Sequence, residues 1–231
     1  MVIDKIIAVE GLDKTGKSTF CDTFERLFSS MYGIENRTLV KYAFPNDNDP
    51  IGKEIKYQLT LATPDPDIVS TPNFLSEMSH FWKNQLFKNY QTTIPNESLI
   101  QPEITNNVTY LFDRYFISTL AYQAFINNSK VDLEFIKYAI NHDSFIKIPS
   151  DIIFLDLPNE KIIERTLADE EAGLNDTNDT LDPTVLDMRR DAYLKSLEFL
   201  KPLGINVISI EDVSLYSVDD LVKVLMGKLY N

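Results

Sequence analysis

The feature that most constrains this chain is the run GLDKTGKS at residues 11–18. An apolar segment, residues 3–9, comes directly before it, and residues 17–32 carry apolar side chains at helical spacing after it. The run fits the pattern G-x-x-x-x-G-K-[ST], in which a glycine-containing loop between a strand and a helix surrounds phosphate groups. The sequence therefore predicts a phosphate-binding loop near the N-terminus.

The composition of this loop suits a polyphosphate. Gly11 and Gly16 allow the backbone to turn its N–H groups towards phosphate oxygens, and the N-terminus of the following helix adds a partial positive charge. We expect Lys17 to reach the β- and γ-phosphates and the Ser18 hydroxyl to bind Mg²⁺. These residue types in this order predict binding of ATP with Mg²⁺ as the cofactor.

Lys14, in the middle of the loop, is a candidate for stabilising the transferred phosphoryl group. Residues 166–188 contain no Lys or Arg, yet phosphoryl transfer needs cations next to the developing negative charge. If that segment closes over the site, the loop itself has to supply the cation. The alternative is that Lys14 is a solvated loop residue.

The rest of the chain alternates between apolar runs and amphipathic segments, which is typical of an α/β fold with a parallel sheet covered on both faces. We predict one domain over residues 1–231, with a loop or insertion at about 92–107 and an acidic, glycine-containing lid at about 169–183. The predicted strands are 3–9, 37–43, 108–112, 151–157 and 205–210, and the predicted helices are 17–32, 51–62, 72–90, 115–127, 132–146, 159–168, 184–200 and 217–229.

Charge and composition narrow the classes of partner. The net charge of −13 comes from 22 basic against 35 acidic residues, and such a surface repels the phosphates of DNA or RNA. The single cysteine, Cys21, cannot form an intramolecular disulfide, the first residues do not predict a signal peptide, and no apolar run is long enough to predict a membrane span. We therefore expect a cytoplasmic protein that binds small nucleotides, with no nucleic-acid or membrane partner.

A second phosphate site is predicted where Asp113-Arg114-Tyr115 follows an apolar strand. An aspartate at such a strand end can hold Mg²⁺ or orient the nucleophile, and an arginine beside it can bind a phosphate through two parallel hydrogen bonds. The alternative is a structural salt bridge. Asp156, at the end of another predicted strand, competes with Asp113 for the magnesium role.

Four motifs together resemble those of the thymidylate kinase family: EGLDKTGKST at 10–19, FP at 44–45, IGK at 51–53 and DRYFISTLAYQ at 113–123. The resemblance implies a five-stranded parallel sheet with helices on both faces, in a P-loop kinase architecture with a lid. It also implies a homodimer and the reaction of dTMP with ATP and Mg²⁺ to give dTDP and ADP.

The resemblance also assigns individual residues. Asp13 corresponds to an aspartate near the acceptor sugar, and Lys14 stands where one branch of the family has a loop arginine. Arg114 corresponds to the arginine that binds the acceptor phosphate, and Arg165 to a residue that packs on adenine, unless it is a surface arginine.

The predicted sets are catalytic Lys14, Lys17, Arg114 and Asp13; ATP-binding Gly11, Lys14, Thr15, Gly16, Lys17, Ser18, Thr19 and Arg165; substrate-binding Asp13, Phe44, Phe81, Arg114, Tyr115, Ser118, Tyr122 and Gln123; and metal-binding Ser18 and Asp113.

Two positions depart from the family pattern. Asp47 stands where the family has an arginine that binds the acceptor phosphate, so Lys41 or Lys53 would have to compensate. Phe81 stands where a second arginine reads the pyrimidine, and a phenylalanine there could stack on a base instead. We expect the acceptor to be dTMP, or alternatively dUMP, a modified deoxypyrimidine monophosphate or a deoxynucleoside. A catalytically silent nucleotide-binding protein is the remaining alternative.

Overall fold

The architecture is a parallel sheet between two layers of helices. The structure, a computed structural model, describes residues 2–32, 37–61, 63–93, 107–142, 146–173 and 179–230. Its five strands lie in the order β2-β3-β1-β4-β5, and every neighbouring pair is parallel. The strands are β1 (Val2–Glu10), β2 (Arg37–Ala43), β3 (Asn107–Asp113), β4 (Asp151–Leu155) and β5 (Asn206–Ile210). The predicted five-stranded parallel sheet is confirmed.

The helices connect these strands, as parallel pairing requires. They are α1 (Lys17–Tyr32), α2 (Pro50–Leu59), α3 (Thr71–Thr93), α4 (Phe116–Thr119), α5 (Lys130–His142), α6 (Asn159–Glu171), α7 (Pro183–Leu200) and α8 (Val218–Tyr230). None of the helices in the described ranges is long and apolar enough to cross a membrane.

Alternate residues of β1 face opposite layers, because successive side chains of a strand point to opposite faces of the sheet. Ala8 packs in the cluster that contains residues of α3, α4, α5 and α7, whereas Ile7 and Val9 pack in the cluster with α1 and α8. All three side chains are fully buried. This burial on both faces explains why the strand has a continuous apolar run rather than alternating polarity.

The strand order brings two polar strand ends together. β1 ends at Glu10 and β3 ends at Asp113, and Val9 is paired with Asp113 in the register of the two strands. The carboxyl ends of parallel strands lie at one edge of the sheet, where ligands of open α/β folds bind. The phosphate-binding loop leaves β1 at this edge.

Several predicted segments have other bounds in the structure: the helix predicted over 51–62 ends at Leu59, and the first two residues of the loop predicted at 92–107 belong to α3. Three further differences concern the turn after β3, the end of β4 and the predicted lid. The helix predicted over 115–127 is a short α-helical turn, α4, that continues as a π-helix over Leu120–Ile126. The strand predicted over 151–157 ends at Leu155, because the Asp156 carboxylate accepts the N–H of residue 157 and Pro158 has none. The first residues of the predicted lid are the last turn of α6.

Parts of other predictions lie outside the described residues. These are 94–106 of the predicted loop at 92–107, 174–178 of the predicted lid and 143–145 of the helix predicted to end at 146.

Candidate active site

The phosphate-binding loop has the backbone that its glycines allow. Gly11 has φ of +147° and Gly16 of +87°, and Lys14 between them has φ of +63°. A Cβ atom on Gly11 would lie 2.1 Å from the carbonyl oxygen of Leu155 at the end of β4. Only glycine fits at residue 11, because both the dihedral angle and the close approach of β4 exclude a side chain.

Lys17 points into this loop. Its side chain is buried, and Nζ donates a hydrogen bond of 2.6 Å to the carbonyl oxygen of Leu12. Burial, together with the nearby charge of Arg114, lowers the pKa of Lys17 to about 8. A phosphate group beside Nζ would raise the pKa of Lys17 again, since an opposite charge favours the ammonium ion.

Ser18 and Asp113 form the predicted metal pair. The Ser18 hydroxyl donates a hydrogen bond of 2.6 Å to Oδ2 of Asp113. One hydroxyl and one carboxylate are oxygen donors of the kind that Mg²⁺ uses when phosphates and water complete its shell. The pair therefore fits the ion.

Asp156, the competing carboxylate, is already bound. Oδ2 of Asp156 accepts a hydrogen bond of 2.7 Å from Nε of Arg190 on α7. Arg190 also donates to the carbonyl oxygen of Leu157 at 2.8 Å. Asp156 therefore fastens α7 to the end of β4, which favours Asp113 for the metal role.

Glu10 is a site residue that the sequence reasoning missed. Its carboxylate is fully buried and accepts the backbone N–H of Tyr115 at 2.7 Å and the Ser118 hydroxyl at 2.6 Å. Burial raises the pKa of Glu10 to about 7. Glu10 thus holds the turn after β3 against the end of β1. The sequence signal that could have identified Glu10 is an acidic residue at the end of a buried strand.

Arg114 connects this turn to the phosphate-binding loop. Its guanidinium forms an ion pair with Asp13 and donates to the Gly11 carbonyl oxygen at 3.3 Å. It also donates to the hydroxyls of Ser118 at 3.2 Å and Tyr193 at 2.7 Å. Burial raises the pKa of Asp13, but the charges of Arg114, Lys17 and Arg189 outweigh burial, so the net pKa is lowered and the carboxylate stays ionised.

Two further residues of this cluster come from α7 and were not predicted. The Tyr193 hydroxyl binds Arg114, and the guanidinium of Arg189 lies 3.8 Å from Oδ2 of Asp13. Arg189 also lies over the ring of Tyr122, at 5.8 Å from its centroid. No local motif marks these residues, which are more than 70 positions along the chain from Arg114.

Lys14 points away from the loop towards the segment predicted as the lid. Its Nζ lies 2.6 Å from Oδ2 of Asp169, in the last turn of α6, and 3.0 Å from Oδ2 of Asp179. Burial lowers the pKa of Lys14, but the hydrogen bonds to these two carboxylates outweigh it and raise the pKa. Arg165, also on α6, is exposed and donates to the Lys14 carbonyl oxygen at 2.8 Å.

Of the predicted nucleoside contacts, the structure places Tyr122 and Ser118 beside the Asp13–Arg114 pair. The Tyr122 hydroxyl donates to Oδ2 of Asp13 at 3.4 Å. Gln123 is not brought to this cluster, and its side-chain oxygen accepts a hydrogen bond of 3.4 Å from Asn127. The π-helical turn changes the helical spacing at this point, which a 3.6-residue pattern does not anticipate.

The predicted aromatic contacts lie in the core behind the site. Phe44 and Phe81 are each 4% exposed, with ring centroids 6.0 Å apart. Tyr115 stacks on Phe112 at 4.7 Å, and its hydroxyl accepts a hydrogen bond from Trp82 at 2.7 Å. These rings offer little open surface in this arrangement, so their contact with a nucleoside stays a prediction.

Asp47, which differs from the arginine of the family pattern, and Lys41 are both engaged in ion pairs. Asp47 is exposed and lies 2.5 Å from Nζ of Lys56. Lys41 lies 2.6 Å from both Asp22 and Glu25 on α1. Lys41 also lines a cavity of about 280 Å³ with Ser18, Cys21, Asp22, Tyr42, Ala43, Asn46 and Asp113. Lys53 is exposed on α2.

Thr15 is buried and its hydroxyl donates to the Leu12 carbonyl oxygen at 2.9 Å, whereas Thr19 is exposed at the start of α1. Thr15 therefore stabilises the loop conformation, and Thr19 leaves its hydroxyl accessible beside Ser18. The ATP contacts predicted for both stay predictions.

Comparison with known proteins points to one family. The family model described as thymidylate kinase matches residues 9–214. A thymidylate kinase of Buchnera aphidicola is 29% identical over 53% of this chain and 51% of its own length. One from Mesomycoplasma hyopneumoniae is 30% identical over 69% of this chain and 68% of its own length. The matched region thus spans about half of the first relative and two thirds of the second.

A solved structure gives the same fold. Thymidylate kinase from Candida albicans aligns with a TM-score of 0.66 over 98% of this chain and 91% of that one, at 18% identity. At this identity the likeness supports the fold and leaves substrate choice open.

Proposed function

Because the chain belongs to the thymidylate kinase family, we propose that it transfers the γ-phosphoryl group of ATP to dTMP, giving dTDP and ADP. The observation that carries the proposal is the pairing of Arg114 with Asp13 and with the Gly11 carbonyl oxygen. This contact places a cation of the turn after β3 directly against the loop that would hold ATP. A donor site and an acceptor site therefore adjoin.

The donor side would be formed by the phosphate-binding loop. Backbone N–H groups between Gly11 and Ser18 and the start of α1 would bind the phosphates, with Lys17 at the β- and γ-phosphates. Ser18 and Asp113 would hold Mg²⁺, which neutralises phosphate charge when bound. Lys14 would have to leave its ion pairs with Asp169 and Asp179 to approach the γ-phosphate.

The acceptor side would be formed by Arg114 and Asp13. Arg114 would bind the acceptor phosphate with its planar fork, and Asp13 would orient the guanidinium and approach the sugar. Glu10 keeps the turn that carries Arg114 in place through Tyr115 and Ser118. The protein's contribution is thus mainly positioning and charge neutralisation.

We further propose a single-domain cytoplasmic enzyme that acts as a homodimer on small nucleotides. The acidic net charge of −13 argues against a nucleic-acid partner.

The test is a coupled ADP-release assay with ATP and Mg²⁺ on a panel of dTMP, dUMP, dCMP, dGMP, dAMP and thymidine. We expect the fastest turnover with dTMP. Preference for dUMP or for another monophosphate would show that this nucleotide, and not dTMP, is the acceptor. Preference for thymidine would indicate a deoxynucleoside kinase. Absence of turnover on every member would favour a silent nucleotide-binding protein.

A further inference from the structure

Helix α6 binds Lys14 at both its main chain and its side chain. Arg165 donates a hydrogen bond of 2.8 Å to the Lys14 carbonyl oxygen, and Oδ2 of Asp169 accepts one of 2.6 Å from Nζ of Lys14. Arg165 and Asp169 are four positions apart on α6, so they lie on one face of the helix. This face therefore fixes both the point where Lys14 leaves the phosphate-binding loop and the place where its ammonium group lies.

A second carboxylate meets the same ammonium group from the segment before α7. Oδ2 of Asp179 lies 3.0 Å from Nζ of Lys14, and the side chain of Asp179 is 7% exposed against 38% for Asp169. The side chain of Lys14 is 17% exposed. Ion pairs in such partly shielded positions are screened less by solvent and salt than pairs on an open surface. Asp169 and Asp179 are called the Lys14 carboxylate pair below.

The two lysines of the phosphate-binding loop point in different directions. Nζ of Lys17 is buried inside the loop, at 2.6 Å from the Leu12 carbonyl oxygen. Lys14 has a backbone φ of +63°, and its side chain extends to the carboxylate pair. An ammonium group has three N–H donors, and the carboxylate pair engages two of those of Lys14. A phosphate that recruits Lys14 therefore has to compete with these two carboxylates.

We infer that Asp169 and Asp179 are positioning residues that hold Lys14 back from the γ-phosphate and thereby weaken the binding of ATP but not that of ADP. The inference rests on the proposed function, in which Lys14 acts at the γ-phosphate. ADP lacks this group, so its binding leaves the ion pairs of Lys14 intact. ATP has to exchange them for its own contact with Lys14, which lowers its net affinity.

The test is isothermal titration calorimetry with ATP and with ADP, each with Mg²⁺ and without an acceptor. The variants are Asp169→Asn and the double variant Asp169→Asn/Asp179→Asn. We expect the Kd for ATP to fall roughly fivefold in Asp169→Asn, the upper range for a partly exposed ion pair, and further in the double variant. The Kd for ADP should not change. Glu170→Gln is the matched control, since it removes an exposed carboxylate from the same turn of α6 and should alter neither Kd.

Lys14→Met distinguishes an effect through Lys14 from a direct effect of the carboxylates on the triphosphate. If Asp169 acts through Lys14, adding Asp169→Asn to Lys14→Met should not improve ATP binding any further. A gain that persists in the Lys14→Met background overturns the inference, because the carboxylates would then repel the phosphates directly.

The remaining outcomes also decide the inference. An unchanged Kd for ATP in both aspartate variants overturns it, and so does an equal gain for ADP or in Glu170→Gln, which would reflect only the charge around the loop. Weaker binding of both nucleotides would show that the carboxylate pair merely stabilises the loop. If the wild type binds neither nucleotide, the proposed function fails and the inference fails with it. If the wild type binds ATP but phosphorylates no acceptor, only the proposed function fails, because the titrations still decide the role of the carboxylate pair.

Discussion

The Ser18 hydroxyl donates a hydrogen bond of 2.6 Å to the Asp113 carboxylate, which joins the start of α1 to the end of β3. The contact forms because β1 and β3 are neighbours in the sheet and both end at the same edge. It brings together the two oxygens that we propose as magnesium ligands.

Asp113→Asn should raise the Mg²⁺ concentration needed for half-maximal activity by roughly tenfold or more, because an amide is a weaker ligand for a hard cation than a carboxylate. The measurement is a Mg²⁺ titration of ADP release at saturating substrates. Asp156→Asn is the matched control, since Asp156 directly follows the next strand, β4, but is bound to Arg190. Equal Mg²⁺ dependence in the two variants would contradict the assignment.

Lys14→Met should lower kcat on the order of 10³-fold, the scale of a lost cationic finger, while the KM for ATP stays near that of the wild type. The reason is that Lys14 would act on charge that develops only during transfer. Turnover at the wild-type rate would remove Lys14 from the catalytic set. Its bonds to Asp169 and Asp179 would then be structural.

Glu77 should make stability depend on pH. Its carboxyl is fully buried, and Oε1 accepts the Asn46 N–H at 2.7 Å while Oε2 has no hydrogen-bond partner among the described residues. Burial raises the pKa of Glu77 from 4.5 to about 8. The folded state thus favours the protonated form of Glu77. The contribution of this preference to stability is complete below pH 4.5 and is lost as the pH rises through about 8.

As the pH rises from 6 to 9, the free energy of unfolding of Glu77→Gln should therefore increase relative to that of the wild type, by on the order of a few kcal/mol. The measurement is urea unfolding of both proteins at the two pH values. Glu134→Gln, at an exposed position in α5, is the control and should show no such change. A pH-independent difference between Glu77→Gln and the wild type would show that Glu77 is ionised throughout.

Gly11→Ala should abolish ATP binding and destabilise the fold by several kcal/mol, because the added Cβ would lie 2.1 Å from the Leu155 carbonyl oxygen. Gly173→Ala is the control, since Gly173 also has a positive φ, of +70°, but no atom of the described residues lies within 4 Å of an added Cβ. It should cost only about 1 kcal/mol. Thermal unfolding and ATP titration of the two variants test this prediction. Equal losses of stability in both variants would show that the positive φ, and not the close contact of the added Cβ, is responsible.

Local sequence predicted much of the fold. β2 begins and ends at the predicted residues, 37 and 43, because its apolar run is bounded by polar residues on one side and Phe44-Pro45 on the other. The phosphate-binding loop could be predicted because its function needs particular residue types at fixed spacing along one short segment.

Residues that act through distant neighbours could not be predicted in this way. Glu10 accepts a hydrogen bond from the turn after β3 only because β1 and β3 are paired. Lys41, one of the two lysines expected to compensate at the acceptor phosphate, lies between two carboxylates of α1, which its own segment does not predict. Arg189 reaches Asp13 across more than 170 positions of the chain.

The sequence by itself determined the kind of elements, the phosphate-binding loop and the family resemblance, since each depends on periodicity or spacing within a short stretch of chain. Only the tertiary structure decided which charges meet. Asp13 lies between Arg114 and Arg189. Asp156 is bound by Arg190, while Asp113 lies beside Ser18. The distances between these groups are set by the strand order and by the packing of α7, which no single segment of the sequence encodes.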